Sequence, residues 1–379
     1  MKLKSKKLLS LILTGTLVFS LSGCQSTNRE EDTKDNTKVE QEATKTIVDH
    51  AGVEVEVPTK INRIVVGNTW PLASALSVYL GGADKIVGMH PASMGAAENG
   101  LLKEVYPEIL NAKTDFIKDS QINIEELLKL NPDEVIGVSK EEAESIRQAG
   151  IPAVTVSVSS WDYDVVQTYD KWNELFDQIF GKSEITQKVS KYSKDAYNLI
   201  QERVATIKEK DKKKVLILHR YDDESMTTSS SNFFGQYWCE SVGAINVGQT
   251  IEGTGLVDIN MEQVYEWNPD IIMISNFTDA QPEDLYNNSI SGDDWSTVSA
   301  VQNGQVYKMP LGLYRTFTPG ADTPVTLQWF AKTVYPELFE DINMEEVTKS
   351  YYKEYYNIDM TDEQVERMYN PPRESANGA

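Results

Sequence analysis

Glu184-Ile-Thr-Gln-Lys-Val-Ser-Lys-Tyr-Ser-Lys-Asp-Ala-Tyr-Asn-Leu-Ile-Gln-Glu-Arg-Val-Ala-Thr-Ile-Lys-Glu-Lys210 is the one long helical signal in this chain, and it lies near the middle. Ile185, Val189, Tyr192, Ala196, Leu199, Val204 and Ile207 recur at close to a 3.6-residue period, with Lys, Asp, Glu and Gln between them. Neither Gly nor Pro interrupts the stretch, and at 1.5 Å per residue it spans roughly 40 Å, the width of a small domain. Such a rod either joins two lobes rigidly or lies on the surface of one, and its flanks decide between these.

On the N-terminal side, Lys45 to Pro58 holds two short alternating runs broken at Ala51-Gly52, a hairpin pattern. Arg63-Ile-Val-Val-Gly67 reads as a buried strand, and Asn68 or Thr69 is placed to cap the helix that Pro71 starts. Lys85 to Gly88, Glu134 to Gly137 and Ala153 to Val156 are further strands with helical segments between them. Beyond the long helix the pattern restarts. Lys214 to Leu218 is a strand, the polar run Thr227 to Asn232 reads as a loop capping a helix from Phe233 to Val242, and Val257 to Trp267 reads as helical. Ile271 to Ser275 and Val306 to Lys308 are strands, and Pro324 to Tyr335 is a helix. Strands alternating with helices predict an α/β fold, two Rossmann-like lobes with mainly parallel sheets joined by one long α-helix, the ligand cleft between the lobes.

An internal repeat supports this plan. Ile122-Asn-Ile-Glu-Glu-Leu-Leu-Lys-Leu-Asn-Pro-Asp-Glu-Val-Ile-Gly137 matches Ile259-Asn-Met-Glu-Gln-Val-Tyr-Glu-Trp-Asn-Pro-Asp-Ile-Ile-Met-Ile274, with Asn-Pro-Asp in register. The chain is long enough, at 379 residues, for two cores, and a formal net charge of −22 argues against nucleic acid as a partner, since phosphate binding requires a basic face.

The N-terminus precedes the fold. Lys2, Lys4, Lys6 and Lys7 form a basic region, Leu8 to Phe19 an apolar one, and Leu21-Ser22-Gly23-Cys24 follows, which resembles a bacterial lipoprotein signal with Cys24 as the lipidated residue. The expected layout is a signal peptide over 1–23, the lipidated cysteine and a polar tether over 24–44, an N-terminal lobe over 45–160, a connecting helical region over 161–211, and a C-terminal lobe with its tail over 212–379. That places the body at the outer face of the cell membrane. Cys239, in an apolar helical run, reads as a buried small hydrophobe.

The Leu-Ser-Gly-Cys box, the opening Asp49-His-Ala-Gly-Val-Glu-Val-Glu-Val-Pro58, the paired helix-Asn-Pro-Asp-strand segments and the closing Trp329-Phe-Ala-Lys-Thr-Val-Tyr-Pro-Glu-Leu-Phe339 together resemble the substrate-binding lipoproteins of ABC importers, in the group whose lobes are joined by a single long helix. The resemblance covers residues 45 to 340 or so. It implies a monomeric carrier for a ferric siderophore, haem or cobalamin, with no cofactor of its own, delivering its ligand to permease and ATPase subunits. It also implies one docking carboxylate per lobe, Glu125 in Asn123-Ile-Glu125 and Glu262 in Asn260-Met-Glu262, each in a first helical turn where negative charge suits the dipole. Members of this fold also carry molybdate or tungstate, which gives a second reading.

Loops after strands supply the candidate ligand contacts. They are Asn68, Thr69, Trp70, His90, Ser139, Lys140 and Trp161 from the first lobe, and His219, Arg220, Tyr221, Ser230, Asn276, Tyr314 and Arg315 from the second. Aromatic walls with a few cations suit a large, partly apolar anion, and the serine run with Arg220 and Arg315 would serve an oxyanion. His90 and His219, one per lobe, are the metal candidates if they meet across the cleft. No Gly-x-Ser-x-Gly, His-Glu-x-x-His or Walker motif points to an enzyme.

Overall fold

Short apolar runs bounded by polar loops become two sheets that share no strand among the described residues. The computed structural model describes residues 43–118 and 120–379, so the signal segment and Cys24 lie outside the described residues. In the first lobe Ile86–Gly88, Ile64–Val66, Glu134–Val138 and Ala153–Thr155 lie side by side in that order, all parallel. In the second, Lys214–Tyr221, Ile271–Ile274 and Val306–Lys308 are parallel neighbours, and Ile245–Asn246 adds to the start of the first of them. The expected hairpin forms from Thr44–Val48 and Glu54–Pro58.

Two sequence readings need correction here. The run Thr227 to Asn232 is not a loop throughout: Met226–Ser229 is a strand, antiparallel to Lys214–Tyr221, with a bulge between Thr227 and Thr228. Val257 does not begin a helix, because Leu256–Asp258 pairs antiparallel with Met226–Ser229 and the helix starts only at Met261. Threonine and valine are β-branched and favour the pleated edge that this lobe presents.

The repeat has a physical role. Asn131 and Asn268 each take the left-handed conformation, at φ 45° and 41°, that ends the preceding helix, and proline then prevents its continuation. The following aspartate ties down the neighbouring strand. Asp133 accepts from the backbone N–H groups of Asn62 and Arg63 at 2.7 and 2.9 Å, and Asp270 accepts from Lys214 N–H at 2.8 Å.

The connecting helix runs over Glu184–Val204 and is preceded by a second helix, Val165–Phe180. Its 21 residues span roughly 30 Å, shorter than the periodic stretch, because the Thr206 hydroxyl bonds back to the Arg203 carbonyl and Ile207 folds toward Gly243. Thr186, Val189, Ser193, Ala196, Ile200 and Val204 form the buried face. Val189 enters the first lobe's core beside Trp172 and Phe176, whereas Ile200 and Val204 enter the second lobe's core beside Trp238 and Phe330. One helix therefore contributes to both cores. Cys239 is fully buried in the second, and that burial pushes its thiol pKa up.

The end of the chain returns to the first lobe. Tyr351 and Tyr352 of Met344–Tyr356, with Val365 and Met368 of Asp362–Tyr369, pack into the same core as Ile64 and Val66. Tyr352 donates to the buried Asp322 carboxylate at 2.7 Å, whose other oxygen accepts from Leu313 N–H at 2.6 Å.

Ile200 is wholly buried while Leu199 is 37% exposed, so the two neighbours separate packing from propensity. Ile200→Ala is expected to cost about 2–5 kcal/mol in urea unfolding, and Leu199→Ala less than about 0.5 kcal/mol. Equal losses would contradict this packing.

Candidate ligand-binding site

The carboxyl ends of the parallel strands face one cavity of about 500 Å³ between the lobes. From the first lobe, Asn68 to Pro71 follow Ile64–Val66, Gly137 to Ser139 close the strand Glu134–Val138, and Thr155 to Val158 follow Ala153. From the second come His219, Phe277, and the segment holding Tyr314, Phe317 and Thr318. Gly137 has φ +83°, and a Cβ there would stand 2.5 Å from Leu72, so glycine is what lets the Asn68 to Trp70 loop lie against this strand. The Thr69 N–H donates to the Gly137 carbonyl at 2.8 Å.

Four rings form a chain of contacts from one lobe to the other, stacked at its two ends and tilted by 31° at the middle pair, Trp70 and Phe277. His90 lies 4.8 Å from Trp70, Trp70 lies 6.0 Å from Phe277, and Phe277 lies 4.8 Å from His219. Phe317 and Phe233 flank the imidazole of His219 at 5.4 and 6.1 Å. The two histidines do not meet as a metal pair, because Trp70 and Phe277 stand between them, and His90 is spent as a helix cap accepting from Ala92 N–H at 3.0 Å. Among the described residues no group of three His, Cys, Asp or Glu side chains is placed to hold a metal.

Asn68, Thr69, Trp70, Ser139, His219 and Tyr314 line the cavity. The other candidates are engaged elsewhere. Arg315 is fully buried and donates to the carbonyls of Ala92, Ser375 and Asn377. Arg220 is exposed, 3.9 Å from Asp222. Tyr221 sits in the second lobe's core with its hydroxyl 3.0 Å from Asp293 and accepting from Trp295 at 2.8 Å. Asn276 donates to the carbonyls of Met309 and Pro310, and Ser230 donates to Gly255. Lys140 is exposed at a helix start, and Trp161 packs on His50 at 4.9 Å. Glu125 and Glu262 are exposed at matching positions, each two residues past its Asn cap.

Sequence reasoning missed Phe233, Phe317, Thr155 and Glu142. Glu142 carried a signal, since Ser139 and Glu142 form a capping box in which Ser139 N–H donates to the Glu142 carboxylate at 2.8 Å. The other oxygen of that carboxylate accepts from the Asn68 amide, which binds this helix instead of capping its own.

The wall is largely aromatic and aliphatic, and no Lys or Arg is among the described residues that line it. Three polar atoms of the wall lack any hydrogen-bond partner: Asn68 Oδ1, Thr155 Oγ1 and His219 Nδ1. Such buried orphans cost about 1–3 kcal/mol each until a ligand satisfies them. Burial, aided by the charges of Arg220 and Arg315, lowers the His219 pKa to about 3. The imidazole is therefore neutral at pH 7, so His219 brings a ring and not a cation to the wall.

Because the fold disfavours the charged form, the stability tied to neutral His219 is whole above its ordinary pKa of 6.5 and is lost as pH falls from there toward about 3. His219→Gln is expected to lose less stability than the parent between pH 6.5 and pH 4 in urea unfolding. Parallel pH profiles would contradict the assignment.

A family model described as periplasmic binding protein matches residues 66–311. A periplasmic solute binding protein from Veillonella parvula superposes with a TM-score of 0.76 at 29% identity, covering 86% of this chain and 97% of that one. The molybdate-binding protein MolA of Haemophilus influenzae is 25% identical, over 83% of this chain and 91% of its own. YvrC of Bacillus subtilis, described as an uncharacterized ABC transporter substrate-binding lipoprotein, is 24% identical over 85% and 95%. The chain belongs to the periplasmic binding protein family, and is a substrate-binding protein of an ABC transporter rather than an enzyme.

Proposed function

We propose that this protein captures a ferric siderophore or a related iron or corrinoid chelate, haem and cobalamin among them, and delivers it to a membrane permease. The observation that carries this reading is the wall itself, largely aromatic and aliphatic, with no Lys or Arg among the described residues that line it. Flat or apolar chelate surfaces gain from contact with Trp70, Phe277, Phe233 and Phe317, while Asn68 Oδ1 and His219 Nδ1, unpartnered and hidden from solvent, would accept from ligand N–H or O–H groups only after their side chains turn toward it. The wall favours contact with the apolar or flat part of such a chelate over the charge-based capture of an anion that the sequence suggested.

A small oxyanion such as molybdate or tungstate is the second reading, favoured by the relation to MolA. Against it, Arg315 and Ser230 are spent on backbone carbonyls, and neither they nor Ser229 is among the residues that line the cavity. An anion stripped of water in an apolar cavity needs donors that these residues no longer offer.

Delivery rests on the two exposed carboxylates, Glu125 and Glu262, as contacts for basic residues of the permease. We assign the anchor to a lipid on Cys24, an assignment supported by the Leu-Ser-Gly-Cys box and by the lipoprotein description of YvrC. The anchor would hold the carrier at the outer face of the membrane.

Tryptophan fluorescence of the full chain, titrated with ferric siderophores, haem, cyanocobalamin, molybdate and tungstate, tests the ligand class. Saturable quenching by a chelate, lost in Trp70→Phe, is expected; a response to oxyanions alone would overturn the chelate reading. The double variant Glu125→Ala, Glu262→Ala is expected to keep ligand affinity and lose at least 90% of uptake, and unchanged uptake would remove the docking assignment.

A further inference from the structure

Arg315 is a buried cation that forms no ion pair with a carboxylate among the described residues. Its guanidinium instead donates to the Ala92 carbonyl at 2.8 Å, to Ser375 and Asn377 carbonyls at 3.0 and 2.9 Å, and to the Tyr314 hydroxyl at 3.2 Å. It also lies 5.1 Å from the Phe277 ring and 5.5 Å from the Tyr314 ring, both of which line the cavity. Full burial of a guanidinium is tolerated only when its donors find acceptors, and here four of the five N–H groups do, on two separate pieces of chain and the adjacent Tyr314.

Those pieces belong to different parts of the molecule. Ala92 opens the first-lobe helix Pro91–Asn99, and Ser375 and Asn377 belong to the terminal segment 371–379. The segment is held to the second lobe by a bidentate pair between Arg373 and Asp284 at 2.7 and 2.8 Å. It is held to the first by the Asn99 amide, which donates to the Glu374 carbonyl at 3.0 Å. The contact with the helix is close: a Cβ at Gly95 would stand 2.0 Å from the Asn377 carbonyl oxygen.

We propose that segment 371–379 is a tie between the lobes and that Arg315 is its positioning residue, fixing both the spacing of the lobes and the two rings, Phe277 and Tyr314, that it backs. The tie acts on the empty protein and does not depend on which ligand is carried. Weakening it is expected to loosen the first-lobe helix and the cavity wall while leaving both sheets intact.

Hydrogen exchange of the full chain, read by mass spectrometry without ligand, tests this. Arg373→Ala alters only the partly exposed end of the tie, and Arg315→Ala removes its centre. In both, exchange over 91–99, 311–318 and 371–379 is expected to quicken at least tenfold, with strands 134–138 and 271–274 unchanged. In Arg315→Ala, added guanidinium chloride at about 50 mM is expected to restore protection in those segments where sodium chloride does not. Unchanged exchange in Arg373→Ala, uniform loss across both sheets in both variants, or no recovery with guanidinium would each overturn the proposal.

Discussion

The packing of Glu184–Val204 against Thr323–Val334 on one side and Val165–Phe180 on the other is the constraint on which the rest depends. No strand passes between the two sheets among the described residues, so their relative position is set by helix contacts and by the loops that meet at the cavity. A helix that buries Val189 in one core and Ile200 in the other cannot bend sharply without emptying one of them. Large hinge opening is therefore disfavoured, and only small rotations of the lobes are compatible with both cores staying filled.

That rigidity explains where polarity is placed. Around the cavity the charged groups are neutralised locally: the Glu142 carboxylate by the Ser139 N–H and the Asn68 amide, Arg315 by carbonyl oxygens and two rings. Most of the carboxylates behind the net charge of −22 are exposed, where water and salt screen them. On the proposed reading, recognition falls to ring faces and to the few polar side chains of the wall.

Much of this was legible in the sequence, because it rests on local signals. Asn-Pro-Asp at matched positions announced two copies of one unit, and the structure gives each residue of that triplet the same job twice. Asn68, Thr69, Trp70 and Ser139 were found because they directly follow strands, the rule that places cavities in α/β folds. What stayed hidden depends on distant partners. Nothing near Arg315 in sequence reveals that carbonyls 60 residues onward and 223 residues earlier would absorb its guanidinium, or that Tyr221 would turn inward to Trp295. The long-helix stripe was misread by one position, Leu199 for Ile200, since its buried face includes the polar Thr186 and Ser193 and two adjacent apolar residues compete for one place in the period.

The central claim is capture by apolar and aromatic contact rather than by charge, and salt dependence tests it most directly. For the ligand that binds, the dissociation constant measured by calorimetry between 50 mM and 1 M sodium chloride is predicted to change less than about twofold, with a negative heat-capacity change. A loss of affinity of tenfold or more over that range would mean that charge holds the ligand, and would contradict the account.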